Sequence, residues 1–125
     1  MSQSIEPEHP VDRGSVRSAV ANAIVRLHAE HYGRGPTRAR AHVADDHVLV
    51  ILEDVFTTAE RTLIGAGHGD RVQASREAFN LALRERFTEA VETIIGRRVR
   101  AVLCQTHLDP EMAIQVFALE PSEIA

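Results

Sequence analysis

Arginine is the residue type through which this chain could do chemistry. Two glycine turns carry it, Gly33-Arg34-Gly35-Pro36 and Gly96-Arg97, and further arginines follow each: Arg38 and Arg40, then Arg98 and Arg100. A forked guanidinium grips carboxylate or phosphate through parallel hydrogen bonds, and backbone amides in a glycine turn add donors to the same anion. If the fold brings the two turns together, Arg34, Gly35, Arg38, Arg40, Arg97, Arg98 and Arg100 form a contact surface for an anion or an acidic partner. The plainer reading is two helix C-caps, with Arg34 and Arg97 facing negative helix ends. All 14 basic residues are arginine, and their even spread fits GC-rich codon usage as well as it fits recognition.

Zinc needs three or four ligands held at once. His28 and His31 lie three apart, on one face of a helix, and His107 and Asp109 flank a turn. Spacing names no further ligands, so these are the weak metal candidates and no metal or cofactor is expected. His42, Asp45, Asp46 and His47 surround another turn, where aspartate is ordinary turn chemistry. Cys104 is the single cysteine; it rules out an intrachain disulfide and reads as a small hydrophobe in a strand. Ser75 lacks the context of a nucleophile elbow. Gly65-Ala66-Gly67-His68-Gly69 follows a helix and carries no P-loop lysine. No catalytic set converges, so the expectation is a protein that is not an enzyme; a small enzyme would need a cleft with perturbed titratable groups.

The net charge of −4, from 14 basic and 18 acidic residues, argues against a main role on nucleic acid, whose binders neutralise phosphates. A small anion- or nucleic-acid-binding module using the arginines is the alternative, and scarce stacking aromatics count against it. An apolar fraction of 44% with 26% charged residues is globular composition. Met1 to Pro10 has no apolar signal region. The longest apolar run, Val48 to Leu52, is far too short to span a bilayer. The location expected is cytoplasmic, with no transmembrane segment.

The elements that must position these residues follow from periodicity. Residues 1–11 read as an N-terminal tail, 12–120 as one α+β domain and 121–125 as a C-terminal tail. A first helix runs from Asp12 or Gly14 to Tyr32 on a stripe of Val16, Val20, Ala23, Ile24 and Leu27. Ala39, Ala41 and Val43 alternate with Arg38, Arg40 and His42 in a strand that pairs with His47 to Glu53 across the Asp45-Asp46 turn. Thr57 and Glu60 form a capping box that opens a short helix. Asp70 with Gln73 is expected to open one long helix to Ile95, with Val72, Phe79, Leu83, Phe87, Ala90, Val91 and Ile94 on the stripe. Two further strands, Arg98 to Gln105 and Met112 to Leu119, flank the turn Leu108 to Glu111. Two α-β-β units thus predict a four-stranded, mainly antiparallel sheet covered by helices on one face. Leu49, Ile51, Phe117 and Leu119 cannot all face the helices together with Val48, Val50, Ile114 and Val116. Both faces of the central strands are apolar, which predicts a homodimer or a protein partner on the uncovered side.

Several of these segments resemble the MpsC family: Tyr32-Gly33-Arg34-Gly35-Pro36, Val48-Leu49-Val50, Val55-Phe56-Thr57-Thr58-Ala59-Glu60, Arg76 with Phe79, Gly96-Arg97, His107-Leu108-Asp109-Pro110 and Val116-Phe117-Ala118-Leu119. The likeness covers roughly Ser15 to Pro121. Where this chain has Asp54-Val55-Phe56-Thr57, the family pattern often has Gly-Val-Leu-Thr. The resemblance implies a bacterial accessory or regulatory domain associated with a membrane cation/bicarbonate transport system, with a protein partner at or near the membrane. None of the matching motifs is catalytic.

Overall fold

A computed structural model describes residues 13–121. The tail expected over 1–11, and all but Pro121 of the one expected over 121–125, lie outside the described residues. Helix α1 (Arg13–Tyr32) is followed by β1 (Arg38–Val43), β2 (His47–Glu53), α2 (Thr58–Gly65), α3 (Gly69–Ala82), α4 (Arg84–Ile95), β3 (Val99–His107) and β4 (Met112–Leu119). The strands form one antiparallel sheet in the order β1-β2-β4-β3. This is the α+β architecture expected from the sequence.

Strand alternation sorts the side chains cleanly. Val48, Val50 and Leu52 of β2 and Ala113, Gln115, Phe117 and Leu119 of β4 are buried under the helices. The alternate residues stand on the other face, where Leu49 pairs with Val116 and Ile51 with Ile114. The covered set therefore combines Val48 and Val50 with Phe117 and Leu119. Leu49, Ile51, Ile114 and Val116 make up the uncovered one.

α1 buries Val20, Ala23 and Ile24 as its stripe predicts. Gly33 follows at φ 86°, and its amide bonds back to the Ala29 carbonyl. Gly35 then runs close under α1: a Cβ there would stand 3.0 Å from the Val25 carbonyl oxygen. The capping box of α2 is formed, with the Glu60 amide donating to the Thr57 hydroxyl at 3.1 Å and the Thr57 amide donating to Glu60 at 2.9 Å.

The single long helix from Asp70 to Ile95 is not what forms. α3 starts at Gly69 behind His68, whose side chain makes no capping bond. Gln73 reaches the Thr106 carbonyl (3.2 Å) instead of closing a capping box with Asp70. The helix also breaks at Leu83, at φ −99° and ψ 5°. No glycine or proline causes the break. α3 leans on α2 and β3 while α4 lies along α1 and β3, and the turn at buried Leu83 lets both halves bury their apolar sides; tertiary packing overrides local propensity here. Phe87 and Val91 are buried as expected, but Phe79 is 38% exposed and lies against Tyr32 rather than in the centre of the core.

β3 is an edge strand, and unpaired edges invite other strands. Gln73 bonds its Thr106 carbonyl and Arg84 its Val102 carbonyl at 3.4 Å. Side chains from the helices thus blunt this edge.

Candidate functional site: an arginine-centred network and an uncovered sheet face

The arginines singled out by the sequence fall into separate places. Arg34 leaves the end of α1 and donates to the Asp54 carbonyl (2.9 Å), the Phe56 carbonyl (2.7 Å) and the Asp54 carboxylate (3.0 Å). Arg97 donates to the carbonyls of Asp45 (2.6 Å) and Glu120 (2.7 Å). Asp54 and Asp45 flank opposite ends of the seven-residue β2, so these guanidiniums stand roughly 20 Å apart at ~3.3 Å per residue. The fold makes two tethers of them, each lashing a helix-ending turn to loops of the sheet. Gly35 serves close packing. Arg38 pairs with Glu53 at 3.1 Å, and Arg40 lies beside it on the uncovered face of β1. Arg98 is exposed, with its carbonyl accepting from Glu120. Arg100 sits at the irregularity between Val99 and Ala101, beside a shallow groove it shares with Asp46, His47 and Val116.

The histidines also separate. His28 is buried, whereas His31 turns outward toward Glu30 and Arg86. His107 Nδ1 is 2.8 Å from the Pro110 carbonyl, in the turn that holds Asp109. Among the described residues no group of three or more His, Cys, Asp or Glu is placed to hold a metal ion.

The densest polar structure lies where β2, α2 and α3 meet. Arg76, only 2% exposed, donates to both Glu60 oxygens (2.7 and 2.6 Å) and to the Val55 carbonyl (2.8 Å). Its guanidinium also covers the Tyr32 ring at 3.7 Å and faces Phe56 at 5.3 Å. The Glu60 carboxyl is held below its usual range: burial opposes this, and the bonds from Arg76 and Thr57 outweigh burial. Alongside, Arg61 bridges Asp54 and Glu111, and Glu111 also accepts from the Phe56 amide at 3.2 Å.

Asp54 explains itself in this network. Its φ is 58°, a left-handed conformation that suits glycine and is tolerated by aspartate. Thr37, Arg34 and Arg61 all bond its carboxylate, which holds the chain in that conformation. A glycine at this point of the family pattern meets the same backbone demand without a side chain.

Sequence reasoning gave Arg76 no role beyond the family likeness and Glu111 none beyond its turn, and it missed the burial of His28. One signal for Arg76 was present: it lies four residues after Val72 and seven before Leu83, so a charged residue occupies the apolar stripe, with the capping Glu60 to pair it. Glu111 carried no such signal, because its partners are 50 and 55 residues away.

The uncovered sheet face is the remaining feature. Leu49, Ile51, Ile114 and Val116 form its half-buried centre, and Leu103 at the β3 edge is 61% exposed. Arg38, Arg40 and His42 border it along β1. No helix among the described residues is long and apolar enough to cross a membrane.

A family model described as "Na+-translocating membrane potential-generating system (MpsC)" matches residues 12–121, most of the chain. No curated protein and no solved structure matches.

Proposed function

This chain belongs to the MpsC family, and from that premise we propose that it is a non-enzymatic accessory or regulatory domain of a membrane-potential-generating system. It works in the cytoplasm as a homodimer and engages a protein partner at the membrane surface. The observation that carries this reading is the apolar sheet face that no helix covers among the described residues. Leu49, Ile51, Ile114 and Val116 occupy adjoining register positions, and a contiguous apolar patch of this kind marks an interaction surface on a water-exposed protein. The arginines give less support to an anion site, since Arg34, Arg38 and Arg97 spend their donors on acceptors within the chain.

Two experiments test the reading. Light scattering at micromolar concentration should find a dimer for the native chain and a monomer for Ile114→Lys, which places a charge in the centre of the face. A native chain that runs as a monomer removes the dimer. In bacteria that carry the gene, deletion should lower the membrane potential reported by a cationic dye, and the Ile114→Lys chain should not restore it. An unchanged potential after deletion removes the link to the system.

A further inference from the structure

His28 is buried to 4% exposure, and among the described residues neither of its ring nitrogens has a hydrogen-bond partner. Its ring stacks on Phe87 of α4 with centroids 5.7 Å apart, and the Tyr32 ring, one turn further along α1, lies 5.5 Å away. An imidazole pays for such a place only while it is neutral, because a buried polar group without a partner costs far more once charged.

The charged groups around it sharpen this condition. Arg76 of α3 holds a permanent positive charge against the same Tyr32 ring, and His31 on α1 opposes a second proton nearby. Glu60 of α2 favours protonation, but its carboxylate is already committed to Arg76. α4 contributes the Phe87 ring, and its charged Arg86 lies against His31 and Glu30. An imidazolium at position 28 therefore brings two N–H donors into a place where neither ring nitrogen meets an acceptor among the described residues. The outer side of α1 is exposed at Ala29 and Glu30, and the helix ends about one turn beyond His28, at Tyr32.

We propose that His28 is an acid-operated latch, whose protonation releases residues 25–32 of α1 from α3 and α4 while the sheet stays folded. The N-terminal half of α1 remains, since Val20, Ala21 and Ile24 anchor it in the core. Release uncovers the Phe87 and Tyr32 rings and slackens the Gly33-Arg34 turn that grips Asp54. The sign of the pH dependence follows from burial, which is the largest influence on the imidazole and moves its pKa from 6.5 down to about 4. The closed form is favoured fully above pH 6.5 and loses that advantage as pH falls toward 4.

Tyr32 is the only tyrosine and the chain has no tryptophan, so its near-ultraviolet signal reports on this spot alone. In the full chain, lowering the pH from about 7 to about 5 should raise the open population of residues 25–32 about twentyfold. That rise is read from amide exchange corrected for intrinsic rate, with a parallel change in the Tyr32 signal. Amides of β2 and β4 should keep their protection. In His28→Phe, which retains the ring stack, the acid response of α1 should vanish. The same response in His28→Phe, or sheet amides opening together with α1, overturns the latch. If that variant does not fold, NMR titration of the native His28 ring decides: a midpoint below about 5 supports the latch, and one near 6.5 overturns it.

Discussion

The guanidinium of Arg76 stands 3.7 Å above the ring of Tyr32, so the end of α1 is packed against the cation that α3 uses to hold α2. Three helices meet on one planar group. Arginine suits the position because its flat face stacks on the aromatic ring while its edge bonds both oxygens of Glu60.

Removing that group should be costly. Arg76→Met leaves Glu60 and the Val55 carbonyl without their donor, and breaking one side of a buried pair typically costs about 3–5 kcal/mol. Arg76→Lys keeps the charge but loses the fork and the stacking face, so it should also destabilise clearly. Adding Glu60→Gln to Arg76→Met should recover part of the loss, since glutamine still closes the Thr57 capping box without an unpaired charge. Urea denaturation of the three variants measures this. An Arg76→Met chain within about 0.5 kcal/mol of the native one would show that the network contributes little to stability.

The same residues show what was legible in the sequence. Local rules found α1, both hairpins, the Thr57 to Glu60 box and the α+β class, because each rests on neighbours within a few positions. They also found that the central strands are apolar on both faces. They missed the break at Leu83, which has no local cause and serves contacts with α1, α2 and β3. They missed the function of Gln73, which bonds an edge carbonyl 33 residues away rather than its own helix. The arginines were recognisable as unusual, yet Arg34 and Arg97 turned out to be tethers whose acceptors, Asp54 and Asp45, lie at opposite ends of β2. Long-range partners of this kind leave no spacing to read.

Asp54 provides a test that separates backbone from side chain. Asp54→Gly removes the cost of φ 58° but loses the bonds to Thr37, Arg34 and Arg61; Asp54→Ala loses the bonds and keeps the cost. Thermal melts should therefore rank the native chain first, Asp54→Gly next and Asp54→Ala last. The pH dependence has a definite sign. The Thr37 hydroxyl bond, followed by those from Arg34 and Arg61, holds the Asp54 carboxyl at about 2, below its ordinary 3.8. Its contribution is present above pH 3.8 and fades as pH falls toward 2. The gap in melting temperature between the native chain and Asp54→Asn should be constant near neutral pH and shrink below about pH 4. A gap that widens in acid would contradict the network drawn around this carboxylate.

The aromatic residues on either side of the helix break should differ sharply in what they contribute to stability. Phe87 is fully buried and Phe79 is 38% exposed, although both sit on the apolar stripe read from the sequence. Truncating a buried phenylalanine removes its transfer energy and leaves a cavity that the surroundings fill only in part. Phe87→Ala should cost about 3–5 kcal/mol, a large share of the ~5–15 kcal/mol that holds a domain of this size together. Phe79→Ala should cost clearly less, because its ring meets Tyr32 at 4.8 Å on the surface and leaves no enclosed cavity. Glu85, next to the break and exposed, should change stability by only about 0.5 kcal/mol as Glu85→Ala. Chemical denaturation orders the three. Equal losses from Phe87→Ala and Phe79→Ala would mean that α3 and α4 form one straight helix in solution, with both rings turned to the core.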